Sequence, residues 1–199
     1  CFAFFHPAMQ DEPIIFVEVA LMKNIPSKIQ DVLEEKRDFL EPDEANVAVF
    51  YSISNCQKGL SGISFGNFLI KQVANDLKFE FNNIKKFVTL SPVPGLRNWI
   101  KNKKPKFEMI LEKFKKSEQF LKVEPSLMNC AGNYFLKSDR PDGMPNDPVA
   151  RFHLGNGASL EQINYLGDTS LNGLNLSGGL MVNYLYDLDK VEENHEAYT

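Results

Sequence analysis

Tryptophan occurs once in the 199 residues, at Trp99, and histidine and cysteine occur three times each. The cysteines (Cys1, Cys56, Cys130) are odd in number, far apart and without a CxxC pair. They form no disulfide framework and no thiolate metal motif, and read as free thiols of a reducing compartment. Two of the histidines, His6 and His195, sit near the ends, which leaves no zinc-ligand spacing. No apolar run approaches the ~18 residues of a membrane-spanning helix. The opening Cys1-Phe2-Ala3-Phe4-Phe5-His6-Pro7 lacks the basic flank of a secretory signal, and without an initiator Met it reads as the start of a partial or processed chain. Bases are in deficit as well, 22 against 26 acids for a net charge of −4. That balance argues against a protein that coats nucleic acid. Repeats and low-complexity tracts are absent.

What is present suits a single globular domain: 43% hydrophobic residues with 16 phenylalanines, and 24% charged. Residues 13–22 are short, apolar and β-branched and predict a strand, with Phe2–Phe5 as its hairpin partner across a turn at Asp11-Glu12-Pro13. Capping-box spacing at Ser27 predicts a helix over 27–38. Residues 46–54 form the strongest strand pattern. A glycine-rich loop from Asn55 to Gly66 follows it, then an amphipathic helix over 66–79 with Phe65, Phe68, Leu69, Val73 and Leu77 on one face. Another strand over 86–91 completes a strand–loop–helix–strand unit, whose two strands should lie parallel. Residues 96–122 read as helical, with a basic run from Arg97 to Lys106 read as a solvated face. Residues 137–148 read as a loop, 150–154 as a strand, 160–164 as a helix and 180–186 as a closing strand before an acidic tail.

Three constellations carry chemistry. Gln57-Lys58-Gly59-Leu60-Ser61-Gly62-Ile63-Ser64-Phe65-Gly66-Asn67 leaves a strand and opens a helix, where glycines admit a ligand to the backbone and free N–H groups favour an anion. It matches neither a Walker loop nor G-x-G-x-x-G. On spacing alone it reads equally as a connecting turn. Leu90-Ser91-Pro92-Val93-Pro94-Gly95 places a hydroxyl at a strand C-terminus, the ligand side of open α/β sheets; a turn-forming serine is the plainer reading. In Arg151-Phe152-His153-Leu154-Gly155-Asn156-Gly157, His153 has a proton donor's chemistry, although a hydrogen-bonded sheet histidine fits the spacing as well. Asn164, Asp168 and Tyr184 are softer pocket candidates.

Together these blocks resemble the malonyl-CoA decarboxylase family. The resemblance runs through Cys1–Pro7, Ile15–Leu21, Phe50–Ser54, Gly66–Lys71, Leu90–Gly95, Pro148–Gly157 and Met181–Tyr184, nearly the whole chain. It implies an α/β domain over 1–199 with a mixed sheet similar to the Gcn5-related N-acetyltransferase fold, binding acyl-CoA, without the family's amino-terminal helical domain. It implies conversion of malonyl-CoA to acetyl-CoA and CO2. By the family's motifs Ser91 and His153 would be catalytic, and the loop bearing Gln57, Gly59, Gly62, Ser64, Gly66 and Asn67 would hold the CoA pyrophosphate. Asn164 and Tyr184 are further pocket candidates. Neither metal nor organic cofactor is implied, since CoA enters with the substrate. No nucleic-acid or membrane partner is expected, and the full-length protein is expected to be a homo-oligomer. The expected compartment is cytoplasmic, or mitochondrial or peroxisomal in a eukaryote. The chain departs from the family at Ser64, where some members carry glutamate, and in a shorter stretch between Ser91 and His153. An acyl-CoA-dependent N-acyltransferase on the same fold is the alternative.

Overall fold

The computed structural model describes residues 1–35, 40–60, 66–114 and 123–198. Its centre is a seven-stranded mixed sheet in the order β1-β2-β3-β4-β7-β5, with β6 paired to β7. The strands are β1 (Phe2–His6), β2 (Met9–Met22), β3 (Val47–Asn55), β4 (Lys86–Thr89), β5 (Ser91–Pro92), β6 (Ser159–Asn164) and β7 (Met181–Leu185). The helices are α1 (Ile29–Leu33), α2 (Gly66–Glu80), α3 (Leu96–Lys103), α4 (Pro105–Phe114), α5 (Glu124–Leu136), α6 (Pro148–Gly155), α7 (Leu171–Ser177) and α8 (Val191–Tyr198).

Both faces of the central strands are covered, which is why β3 reads as a continuous apolar run rather than an alternating one. Ala48 and Phe50 face one way, into the larger core with Leu69, Ile70, Val73, Ala74 and Leu77 of α2. Val47 and Val49 face the other way, packing with Ala20, Val32, Val88 and Leu90. The expected parallel crossover is present: β3 and β4 pair in parallel from Val47↔Lys86 to Phe50↔Thr89, joined through α2.

The site depends on what happens next. Pairing between β3 and β4 stops at Phe50↔Thr89. β3 runs on to Asn55, still paired to β2 as far as Ile15↔Asn55. The other chain passes Leu90, whose N–H still reaches the Phe50 carbonyl at 3.1 Å. It keeps its pairing with the opposite neighbour, β7, at Ser91↔Val182 and Pro92↔Met181. The sheet therefore opens into a wedge just beyond Phe50.

Several expectations change. The β1–β2 turn falls at Pro7-Ala8, where His6 pairs with Met9, and not at Asp11-Glu12-Pro13. Pro13 is tolerated inside β2 because a register shift accompanies it at Phe4/Phe5. Phe68 is 68% exposed; it lies on the side of α2 opposite Leu69, Val73 and Leu77, so the buried face is completed by Ile70 and Ala74. The helix after Ser27 is described only over Ile29–Leu33. Phe65, residues 36–38 and residues 115–122 of the expected helices lie outside the described residues. Residues 96–114 form two helices, because the chain leaves helical geometry at Lys104 (φ −139°, ψ 60°) before Pro105.

The largest corrections come in the last third. Residues 148–155 are helix α6, not a strand over 150–154. Asp147 caps it, its carboxylate accepting from the Val149 and Ala150 N–H groups, and Pro148 occupies the first turn. The expected helix at 160–164 is strand β6, antiparallel to β7 from Ser159↔Leu185 to Asn164↔Met181. A six-residue segment with one face on a sheet edge gains more from that pairing than from a single helical turn.

Candidate active site

A cavity of about 420 Å³ occupies the wedge, within the roughly 300–1,000 Å³ range of small-molecule sites. Phe50, Tyr51, Ser52, Ile53 and Asn55 of β3 line one side, and Thr89, Leu90, Ser91 and Pro92 the other. Pro148, Val149, Phe152 and His153 of α6 close it, with Gly66 at the start of α2 and Ile15. A methyl group on Gly66 would meet Phe152 Cζ at 3.0 Å, so a side chain there would have to push the α6 aromatic back by a few tenths of an ångström.

Ser91 and His153, 62 residues apart in sequence, meet on the cavity wall, with Ser91 Oγ 3.2 Å from His153 Nε2. The pair belongs to a longer buried chain. Ser91 Oγ donates to Thr89 Oγ1 at 2.9 Å, and Thr89 Oγ1 also accepts from the Tyr184 N–H at 3.2 Å. On the far side of the ring, His153 Nδ1 is 2.9 Å from the Tyr186 hydroxyl. The imidazole stacks on the Tyr184 ring at 4.7 Å and 27°, and the Phe152 ring meets it edge-on at 5.0 Å. Ser91 is 6% exposed and His153 4%.

Burial, with no charged neighbour among the described residues, decides the electrostatics. Desolvation lowers the His153 pKa to about 3, so the ring is neutral near pH 7. Burial likewise raises the Tyr186 hydroxyl well above its usual range, and it stays protonated. Each link of the chain is thus a neutral donor–acceptor group.

α6 holds the histidine at both ends. At its start, Asp147 is fully buried. Its Oδ1 accepts from Val149 N at 2.9 Å and Ala150 N at 3.0 Å. Its Oδ2 accepts from the Tyr134 hydroxyl at 3.3 Å. Burial raises the Asp147 pKa, opposed by backbone donors that include the Gly95 N–H of the Ser91 loop. At its end, Gly157 has φ +85° and packs so tightly on the Val191 carbonyl that no side chain fits.

The sequence-derived site residues divide. Ser91 and His153 come together. Of the glycine-loop residues, Gly66 lines the cavity. Gln57 instead donates to the Pro13 carbonyl at 3.2 Å, and Gly59 has open space around it. Gly62 and Ser64 lie outside the described residues, as does the side chain of Asn67. Asn164 and Tyr184, expected at the pocket, are absent from its lining: Asn164 donates to Asn183 Oδ1 at 2.6 Å on the other face of the sheet, and Tyr184 stacks behind the imidazole. Asp168 accepts from the Ser170 N–H at 2.9 Å in the turn before α7. Thr89, Phe152, Asp147 and Tyr186 were not singled out from the sequence. Tyr186 had a legible signal, because it shares a strand face with Tyr184 two residues earlier. Among the described residues no group of three His, Cys, Asp or Glu side chains could hold a metal ion, and no helix is long and apolar enough to cross a membrane.

Comparison with known proteins places this geometry. The malonyl-CoA decarboxylase from Agrobacterium vitis superposes with a TM-score of 0.91 at 51% identity, over 98% of this chain and 52% of that one. The mitochondrial malonyl-CoA decarboxylase of the goose Anser anser anser is 34% identical over all of this chain and 46% of its own length. This chain therefore spans about half the length of such relatives. The loading GNATL domain of CurA from Lyngbya majuscula (TM-score 0.56) and the GphF GNAT-like decarboxylase (TM-score 0.53), each 14% identical, share the fold. The family model for the malonyl-CoA decarboxylase C-terminal domain matches residues 1–199, and the chain belongs to that family.

Proposed function

We propose that this domain converts malonyl-CoA to acetyl-CoA and CO2, with Ser91 and His153 at the reacting end of the cavity. The observation that carries the reading is their convergence, Oγ to Nε2 at 3.2 Å, on the wall of the wedge between β3 and β5. The pantetheine arm would enter between the parted strands, and the loop from Gln57 to Asn67 would hold the pyrophosphate.

Decarboxylation breaks the bond between the carboxyl carbon and C2. The electron pair passes into the thioester as an enolate, CO2 leaves, and C2 takes a proton. Ser91 hydrogen-bonds the malonyl carboxylate and turns it out of the thioester plane, which aligns the breaking bond with the carbonyl π system. His153 delivers the proton to C2 or holds the water that does. A neutral imidazole suits this step: an imidazolium would pair with the carboxylate and stabilise it against leaving, whereas a neutral N–H can still act on a developing enolate. Preorganised donors in a water-excluded site contribute roughly 2.7–4 kcal/mol each. Neither metal nor organic cofactor is required, because the thioester is the electron sink.

The N-acyltransferase alternative is less favoured. It needs a base for an ammonium acceptor, and among the described residues the cavity lining carries no acidic or lysine side chain, while His153 is a weak base with its pKa near 3. Self-association of the full-length protein belongs to the same proposal. So does the compartment: the goose and mouse relatives are named mitochondrial, and in a bacterium the reaction would run in the cytoplasm.

The test is CO2 release from carboxyl-labelled malonyl-CoA by Ser91→Ala and His153→Asn. Each is expected to lose at least ~10²-fold in turnover while still binding CoA. Undiminished release by either variant rejects the assignment, and amine-dependent release of free CoA from acetyl-CoA would favour the acyltransferase.

A further inference from the structure

The Tyr186 hydroxyl serves neither core packing nor, directly, the cavity. Tyr186 is 1% exposed and is absent from the cavity lining. It follows β7, where its N–H donates to the Phe87 carbonyl at 2.8 Å, and that anchor aims the phenol at His153 Nδ1, 2.9 Å away. A buried phenol has one proton to donate and an oxygen that accepts weakly, so the position of its proton fixes the position of the imidazole's.

We propose that Tyr186 is a positioning residue that locks His153 in the tautomer with the proton on Nε2, so that the ring N–H points at Ser91 and the cavity; this deepens the decarboxylase reading and rests on it for its catalytic consequence. One observation sets the direction. Ser91 Oγ donates to Thr89 Oγ1, so Ser91 is left to accept from Nε2–H, and the bare Nδ1 is left to accept from the Tyr186 hydroxyl. All the donors then run one way: Tyr186 O–H to Nδ1, Nε2–H to Ser91, Ser91 O–H to Thr89. The opposite tautomer would set the Nδ1 proton against the phenol proton and strand a buried donor.

The functional consequence concerns which nitrogen faces the substrate with a proton. When a malonyl group displaces Ser91 from the Nε2–H, that proton is the one aimed at C2. As the Nε2 proton passes to C2, the negative charge left on the ring is met at Nδ1 by the Tyr186 O–H; a water then returns a proton to Nε2, and the hydroxide it leaves is taken up by the released CO2 as bicarbonate. Among the described residues no charged side chain touches the ring from any element packed against it: β4 offers Thr89, β5 Ser91, β7 and its extension Tyr184 and Tyr186, and α6 the preceding Phe152.

Because the chain has only three histidines, ring-selective ¹⁵N labelling gives a readable spectrum, and loss of a signal set in His153→Asn assigns His153. At neutral pH the wild-type protein is expected to show Nδ1 as the bare, pyridine-like nitrogen and Nε2 as the protonated one. A protonated Nδ1 overturns the proposal, and this result does not depend on whether the protein decarboxylates anything. Tyr186→Phe, which keeps the ring, is expected to move the Nδ1 shift toward a mixture of tautomers. It should also lower kcat roughly 10- to 100-fold, the usual effect of removing the group that orients an active histidine, with KM little changed. Unaltered nitrogen shifts in that variant would also overturn the proposal. Absence of CO2 release in the wild type would instead sink the decarboxylase reading and leave the tautomer measurement standing.

Discussion

Two buried polar clusters in this domain handle charge in opposite ways. Arg97, on α3, is 7% exposed and is met by carboxylates: Nε donates to Glu108 at 2.9 Å, a second nitrogen pairs with Glu108 and with Glu112, and a third donates to the Leu174 carbonyl of α7 at 2.8 Å. Burial alone would lower its pKa, but the bonds to Glu108 and Glu112 outweigh burial and the net shift is upward. His153 is as buried and meets only hydroxyls and aromatic rings, so burial has nothing to oppose it and the charge is lost. Burial strips charge unless a counter-charge is within reach. The first cluster ties α3, α4 and α7 together behind the Ser91 loop. The second keeps a neutral donor at the cavity.

The comparison can be broken most forcefully at Arg97. Arg97→Leu removes the cation that the nearly buried Glu108 carboxylate holds, and the expected loss is about 3 kcal/mol of stability. Thermal unfolding should show a fall of the order of 10 °C for a domain of this size. A loss below ~1 kcal/mol would mean that solvent already screens the cluster, and the contrast with His153 would lapse.

A smaller effect follows from the histidine itself. Its pKa is lower in the folded state, about 3, than the ~6.5 of an unfolded histidine. The unfolded chain therefore binds the extra proton between those values, and stability falls as pH drops through that window. The contribution is fully present above ~6.5 and amounts to about 2 kcal/mol lost by pH 5. Urea unfolding at pH 7 and pH 5 should show that slope in the wild type and a shallower one in His153→Asn. Equal slopes would place a charged partner near the ring.

How far the sequence revealed this molecule depends on what kind of information each part needed. Val47–Asn55 and Gly66–Glu80 were legible because burial on both faces or on one leaves a local hydrophobic period. Ser91 was legible as a hydroxyl ending a strand. The break beyond Phe50↔Thr89 was not, since nothing in Leu90-Ser91-Pro92 announces that pairing with β3 ends while pairing with β7 goes on. His153 was found as a residue and misplaced as structure. Arg151-Phe152-His153-Leu154 alternates like a strand, but Asp147-Pro148 before it is a cap followed by a first-turn proline and marks a helix start. Residues 160–164 read as helix because their strand state depends on β7, some 20 residues on. Tyr186 and Asp147 act through partners 33 and 13 residues away, and such distances are set by the fold. The basic run was half right: Lys101 and Lys103 are exposed, but Arg97 turns inward because two carboxylates wait there.

The most direct measurement is a double-mutant cycle on Ser91→Ala and His153→Asn, read as turnover of labelled malonyl-CoA at saturating substrate. Two groups that act on one carboxylate and its departing carbon as a unit are expected to give a double variant scarcely slower than the slower single variant. If the two losses multiply in full, or if either single variant retains wild-type turnover, the pair does not work together and the cavity is not where the chemistry occurs.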